Sequence, residues 1–390
     1  MKRFFSTGLI GVLLAASLFA QSQKDLNVFK HDIQAKLDSM QAAGLFPGAT
    51  LGIVLKNGTE LKFATGLADE EAEQAMPLEG RMFTGSAGKT FVSAVALQLV
   101  DEGELDLDAL VSSYLGSLSW YSRLPNHDSL TVRMIMQHTG GLPRYVFKEA
   151  FTKALLENSD KVWKPEETLA YVFDDTPVHP PGRGWGYSDT DYIVLGVIIE
   201  KITGETLYKQ AQRRLLDPLG LRDTSPSNHR KLKGLVTGYT GDKSPPFMLP
   251  GKVPVDGVYP INPQFEWCGG GFITTSLDMA RWAKALYEGK VFSETMMEEL
   301  LKAADWRTGQ PAEAGYGLGV MIFNTPFGKI YGHGGIFPGY QTQMSYFPKW
   351  KTSVTIQVNA DRLGPKLKAD PNQLIGELIP VIQGLYTESL

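Results

Sequence analysis

Apolar residues at Leu26, Phe29, Ile33, Leu37 and Met40 recur at spacings of three and four, the period at which side chains line one face of a helix. The stripe runs out near Gly44, and Pro47 and Gly48 break it, so an amphipathic helix is expected up to about residue 44. The period then changes. Residues 49–56 (ATLGIVLK) and 59–65 (TELKFAT) flank Asn57-Gly58, the pair best suited to a two-residue turn with positive φ, which predicts an antiparallel hairpin.

The far end has the same texture. Residues 317–323, 329–331, 341–347 and 352–358 are short runs rich in Val, Ile, Tyr and Phe, separated by Asn-Thr-Pro, Gly and Pro-Lys-Trp-Lys breaks. A closing helix is expected from about Asn372, bent or cut short at Pro380. Helical patterns occupy the middle, at 86–100, 132–137, 189–202, 207–216 and 276–287, and the Pro/Gly-rich stretch 244–263 reads as a long surface excursion. Neither set of terminal strands is large enough to stand alone, so the two ends should pair in one antiparallel sheet with the helical middle packed on it as an insertion. The expected fold class is α/β of the α+β type, with residues 21–390 as one domain and the default pocket at the seam between sheet and insertion.

The first twenty residues stand apart. Lys2 and Arg3 precede an uncharged apolar run at 9–20 (LIGVLLAASLFA), after which Gln21, Ser22, Gln23 and Lys24 restore polarity. This reads as a secretory signal. It is shorter than the roughly 20 residues that cross a bilayer, so an exported protein, periplasmic or secreted, without a stable membrane span after signal removal is expected.

Composition narrows the function by exclusion. A chain that is 43% hydrophobic and 21% charged is a folded one. With 38 Lys+Arg against 42 Asp+Glu and no basic run, nucleic acid is not an expected partner. The single cysteine, Cys268, rules out an intramolecular disulfide and a Cys-pair zinc site. His31, His127, His179 and His229 lack metal-ligand spacing, so no metal is expected. Gly269-Gly270-Gly271 lacks the spacing of a dinucleotide loop, so no cofactor is expected, and close backbone packing near the pocket is the preferred reading. Trp185 and Trp267 fit a substrate groove or the core equally well, and Cys268 reads as buried or incidental.

Three segments carry candidate chemistry. In Ser86-Ala87-Gly88-Lys89, opening a helical pattern, positions three apart share a face, so the Ser86 hydroxyl and Lys89 amine lie within one turn. Burial would lower the lysine toward the neutral base that a serine nucleophile needs. Tyr187-Ser188-Asp189 precedes an apolar helix, and a loop tyrosine beside a lysine can act as a phenolate-type base or proton relay. His333-Gly334-Gly335 lies between two candidate strands, where the glycines admit substrate close to the backbone and His333 can donate to an anionic or carbonyl group. Taken singly, each has a plain structural reading: a cap with a solvated lysine, a core tyrosine, a turn histidine.

Taken together, in this order, the three resemble the serine hydrolases grouped with class C β-lactamases and D-alanyl-D-alanine carboxypeptidases. The flanking text GSAGKTFVSAVALQLVDEGELDLD, MIMQHTGGLP, YSDTDYIVLGVIIEKITG, CGGGFITTSLDMARW and YGHGGIFPGYQ is similar to that family as well. The resemblance implies that Ser86 attacks a carbonyl to form an acyl-enzyme, and that Lys89 and Tyr187 move its proton. It further implies that the backbone N–H groups of Ser86 and Ile336 form the oxyanion hole, and that Asp189, His333, Gly334 and Gly335 face the substrate. His138 would hold a turn. Two positions depart from the family. Asp189 stands where an Asn is usual, which would favour a charged Lys89 or an ion pair with it. His333 stands where β-lactamases carry Lys, which removes a fixed cation. The favoured substrate is then a D-alanyl, cell-wall-type peptide. β-Lactams and small esters are the alternatives on the same machinery, and a slowly acylating receptor is the non-enzymatic one.

Overall fold

Strands from the two ends of the chain lie side by side. The computed structural model describes residues 25–387, so the signal expected at 1–20 lies outside the described residues. The elements that position the site are helix α1 (25–42), strands β1 (Gly48–Val54) and β2 (Glu60–Asp69), helices α2 (Lys89–Asp101), α3 (Asp189–Thr203) and α4 (Ser276–Tyr287), strands β3 (Met321–Thr325), β4 (Gly328–Phe337), β5 (Tyr340–Phe347) and β6 (Thr352–Val358), and helix α5 (Pro371–Thr387). The main sheet runs β3-β4-β5-β6-β1-β2 through its centre, with two-residue strands extending both edges. Leu51 of β1 faces Phe63 of β2 on one side and Ile356 of β6 on the other, both pairings antiparallel. The sheet is thus closed by strands about 300 residues apart in the chain, and the helical insertion sits between them, as the pattern implied.

Each face of β1 is buried, for different reasons. Ala49, Leu51 and Ile53 join the α1 stripe of Phe29, Ile33, Leu37 and Met40 and the α5 residues Leu374, Leu378 and Ile382 in one apolar layer. Burying each such α1 side chain contributes about 1.5–3 kcal/mol relative to leaving it in water. On the opposite face α4 lies directly on the strand: a Cβ at Gly52 would come within 2.4 Å of the Ser276 carbonyl oxygen. The larger core lies on this side, where α2, α3 and α4 meet. Trp282 of α4 stacks on Phe91 of α2 at 4.5 Å, and its indole N–H donates to Thr90 Oγ1 at 2.8 Å.

Several expectations are corrected. The hairpin is joined by five residues rather than two, because Val54 pairs with Glu60. Gly58 takes positive φ and Asn57 does not, while Asn57 Oδ1 accepts from the Thr59 N–H, the arrangement of a type I turn followed by a left-handed glycine. The run at 317–323 is split by a tight turn at Gly317–Val320, closed by a 2.8 Å hydrogen bond, and strand follows at Met321–Thr325. The strand expected at 329–331 extends to Phe337, so His333-Gly334-Gly335 lies within a strand and not between two. The pattern at 207–216 is a short helix that widens into a π segment at Gln212–Leu216. The stretch 244–263 is not merely a surface excursion, since Leu249, Val253, Tyr259 and Ile261 are buried in the larger core. Pro380 does not end α5. Both Pro380 and Gly376, whose carbonyl loses its partner to the missing N–H, are on the solvent face, where water can replace the bond.

Gly52→Ala should test the α4 contact. The added methyl meets backbone rather than a movable side chain, so a loss of about 1–3 kcal/mol is expected, read as a lower denaturant midpoint with unchanged slope.

Candidate active site

The nucleophile candidate is delivered by backbone packing. The pairing of β3 with β4 stops at Gly332, and beyond it the free side of β4 receives the 3₁₀ turn Gly85–Gly88 instead of a strand. Contact is close enough to exclude side chains: a Cβ at Gly335 would lie 1.8 Å from the Thr84 carbonyl, and one at Gly85, where φ is 48°, would lie 2.5 Å from the Ile336 nitrogen. Ser86 therefore lies in the turn that leads into α2, next to the residue packed on the Ile336 amide, where the resemblance places the second oxyanion donor. Gly270 packs on the other side of the turn, its Cβ position 2.2 Å from the Gly85 carbonyl, which is the close packing expected for the triple glycine. The continuous helix expected from residue 86 is instead this 3₁₀ turn followed by α2, and the turn keeps Ser86 and Lys89 together.

Lys89 is wholly buried, and its ammonium has three acceptors: Ser86 Oγ at 3.2 Å, Asp189 Oδ1 at 3.0 Å and the Gly269 carbonyl at 2.6 Å. Burial pulls its pKa down, but neighbouring Tyr187 and Asp189 more than offset this and the net direction is upward. The neutral lysine expected from burial alone is thus corrected: a carboxylate in contact overrides desolvation. Burial likewise pushes Asp189 up, yet Lys89 and Arg144 hold it well below the usual carboxylate range. Arg144 grips the far oxygen of Asp189 through Nε at 3.0 Å and Nη2 at 2.7 Å.

Tyr187 precedes α3 and brings its ring to 4.9 Å from Lys89 Nζ. Its hydroxyl is buried without a well-aligned hydrogen-bond partner among the described residues. Burial raises its pKa, while Lys89 and Ser86 favour the ionised form. His138 ends the helix Val132–Gln137 in the left-handed region at φ 61°, the turn-holding place implied for it. Its ring also packs 4.3 Å from that of Tyr187, and its Nδ1 lies 2.7 Å from Asp191 Oδ2. Burial drives His138 down and Asp191 up, both toward their uncharged forms.

His333 is buried. Its Nδ1 is 2.6 Å from the Gly334 carbonyl, an acceptor only, and its Nε2 is 2.8 Å from Tyr316 Oη. Nδ1 therefore carries the proton and Tyr316 donates to Nε2. Burial lowers its pKa to about 3. The partly charged, donating histidine expected from sequence is corrected to a neutral ring whose two nitrogens are both engaged.

A cleft of about 400 Å³ lies at the seam and is lined by Ser86, Tyr187, Asp189, His333, Gly334, Gly335 and Ile336, with Lys89 beneath. The same cleft is lined by Arg144 and Glu266, which sequence reasoning missed. Arg144 directly follows the QHTGGLP segment, but nothing in the order of residues reveals its partner. Tyr316, which fixes His333, was missed for the same reason. Trp267 and Cys268 belong to the core against Gly196 of α3, and Trp185 packs edge-on against Trp306 at 5.1 Å outside the cleft lining. Among the described residues, no cluster of His, Cys, Asp or Glu could hold a metal ion, and no helix is long and apolar enough to cross a membrane.

Residues 33–376 match the beta-lactamase family. The chain belongs to the beta-lactamase family. This is the penicillin-binding-protein-like group of serine hydrolases. The beta-lactamase-family chain is 27% identical over 299 residues to a D-aminopeptidase of Brucella anthropi, covering 76% of this chain and 53% of the relative. It therefore spans about half the length of the D-aminopeptidases it matches. Penicillin-binding protein 4* of Bacillus subtilis is 25% identical, with 82% of this chain and 69% of the relative covered. Among solved structures, a D-stereospecific amidohydrolase from Streptomyces sp. superposes with a TM-score of 0.74 at 26% identity, covering 88% of this chain and 97% of that one. The D-amino acid amidase from Ochrobactrum anthropi SV3 shares the fold, with a TM-score of 0.75 at 23% identity and coverage of 91% and 99%.

The His333 assignment predicts that its imidazole stays neutral from about pH 8 down to about pH 5. Ring ¹⁵N shifts followed by NMR should be flat over that range, and a midpoint near the ordinary histidine value would contradict the buried, doubly bonded ring.

Proposed function

We propose that this chain is an exported serine hydrolase that cleaves amide bonds next to a D-residue, with small D-alanyl peptides or amides as substrates, through an acyl-enzyme on Ser86. The observation that carries the reading is the Ser86 hydroxyl within hydrogen-bond reach of the buried Lys89 ammonium, beside Tyr187, in one cleft. The names of the relatives, D-aminopeptidase and D-stereospecific amidohydrolase, support the substrate class. The apolar run at 9–20 supports export.

The chemistry follows from which atoms hold protons. Lys89 donates to Ser86 Oγ, so the serine's own proton is available to the Tyr187 oxygen, and ionised Tyr187 is the group that takes it as Oγ bonds to the carbonyl carbon. The amide N–H groups of Ser86 and Ile336 take the developing oxyanion. The carbon–nitrogen bond then breaks, and the leaving amine receives the proton from Tyr187. Water then gives a proton to the same oxygen as its own oxygen bonds to the acyl carbon. The bond to Ser86 Oγ breaks as Tyr187 passes that proton back to Oγ, and the acid leaves with the serine and the ionised tyrosine restored. Lys89 stays charged throughout, holding Ser86 and favouring ionised Tyr187. Neutral His333 offers no cation for a drug carboxylate, which places β-lactams behind amides.

Ser86→Ala should abolish labelling by a fluorophosphonate probe and lower kcat/KM on a D-alanyl amide by about 10⁴-fold or more; undiminished labelling would reject the assignment. The pH profile gives a second test. Lys89 and Tyr187 are both raised above their ordinary values, so the couple must lose a proton before Tyr187 can act, and kcat/KM should climb with pH on the alkaline side. Asp189 pushes both groups up. Asp189→Asn should therefore move the rising limb to lower pH by about one unit or more, and a limb that stays put or moves upward would count against Tyr187 and Lys89 as the proton-handling pair.

A further inference from the structure

We propose that Glu266 recognises a positively charged amine on the substrate, so that the cleft selects amides with a free α-ammonium group over those presenting a carboxylate. The inference deepens the acyl-transfer reading and rests on it.

Glu266 sits in the 3₁₀ segment Pro263–Gly269 between buried Phe265 and Trp267, is 8% exposed, and lines the cleft that holds Ser86. Its Oε2 is buried without a hydrogen-bond partner among the described residues. A buried carboxyl oxygen left unpaired is costly, and such a group calls for an occupant that donates. Gly270 lies between Glu266 and the Ser86 turn: a Cβ there would lie 2.6 Å from Glu266 Oε1 and 2.2 Å from the Gly85 carbonyl. Gly270 thus contacts both the Glu266 carboxyl and the turn that carries Ser86, and the carboxyl and Ser86 line one cleft, where an α-amine beside the scissile carbonyl would lie.

The cations of the inner cleft are already engaged. Lys89 has three acceptors and no exposure. Arg144 is bound twice to Asp189, with its guanidinium 4.3 Å from the Phe147 ring. His333 is neutral. Arg362 is exposed at the outer wall, where Asp370 also lines the opening. The deep part of the site thus offers an unused acceptor and no unused cation, the arrangement that suits an ammonium and not a carboxylate. Burial pushes Glu266 up to about 8, toward the protonated acid, and a bound ammonium would favour the carboxylate, with the proton released to solvent.

The experiment compares D-alanine p-nitroanilide, N-acetyl-D-alanine p-nitroanilide and p-nitrophenyl propionate on the full chain and on Glu266→Gln. The wild type should favour the free amine over its acetylated form by about tenfold or more. Glu266→Gln should erase that preference, mainly through a KM about tenfold higher for the free amine, and leave the propionate ester within about threefold. Wild-type indifference to acetylation, or a preference that survives Glu266→Gln, overturns the proposal; the wild-type comparison stands even where the variant folds poorly. Ester hydrolysis that is lost in Ser86→Ala keeps the acyl-transfer reading while this inference fails. Hydrolysis that persists in Ser86→Ala, or none of the three substrates turned over, removes the reading itself.

Discussion

A charged ammonium taken wholly out of water is the constraint around which the site is organised. Removing a lysine from solvent costs several kcal/mol, and the cost is offset only when donors and charge are both matched. Lys89 meets that condition with acceptors from three parts of the chain: Ser86 one turn away, Asp189 at the start of α3, and the Gly269 carbonyl. Asp189 is in turn held by Arg144. The network ties α2, α3 and the triple-glycine segment to one point, so these elements cannot drift apart without stranding a charge. Stability and chemistry share the same bonds, because the contacts that make Lys89 tolerable are those that keep it protonated beside Ser86 and Tyr187.

The second constraint is steric. Where β4 loses its neighbour after Gly332, the turn carrying Ser86 takes that neighbour's place, and main chain meets main chain at distances no side chain would allow. This geometry holds the Ile336 amide against the residue that precedes Ser86, the preorganisation that the proposed oxyanion site requires. The glycines at 85, 270 and 335 thus act by absence: each removes a methyl that would hold turn, strand and insertion apart.

How far the sequence reached follows from how local each signal was. The α1 stripe, the terminal strands and the pairing of the two ends were legible because period and length decide them. The hairpin loop length, the π segment after Ala211 and the buried side chains of 244–263 were not, since they are settled by what the segment packs against. The same division runs through the site. Ser86, Lys89, Tyr187 and His333 were found through short ordered motifs, and the effect of Asp189 on Lys89 was legible from charge alone. Arg144, Glu266 and Tyr316 sit outside any motif. Arg144 and Tyr316 are defined by partners 45 and 17 residues away, and Glu266 by packing that brings it into the cleft lined by Ser86; no spacing rule reaches them.

The protonation of His333 shows why contacts, and not residue type, decide specificity. A histidine in solution would be partly cationic near neutral pH and could stand in for a lysine. Here the Gly334 carbonyl fixes the proton on Nδ1, the Tyr316 hydroxyl fills Nε2, and burial removes the charged form. The replacement therefore takes a cation away from the third motif rather than weakening it. Asp189 acts in the opposite sense at the second motif, adding a carboxylate that Lys89 and Arg144 absorb completely. Together the two departures leave the inner cleft with its positive groups neutralised by internal partners and its one unpaired buried carboxyl oxygen on Glu266. In the proposed reading, a site with that balance discriminates among substrates by the charge they carry next to the scissile carbonyl, while the proposed acyl transfer on Ser86, with Lys89 and Tyr187, is the same for each.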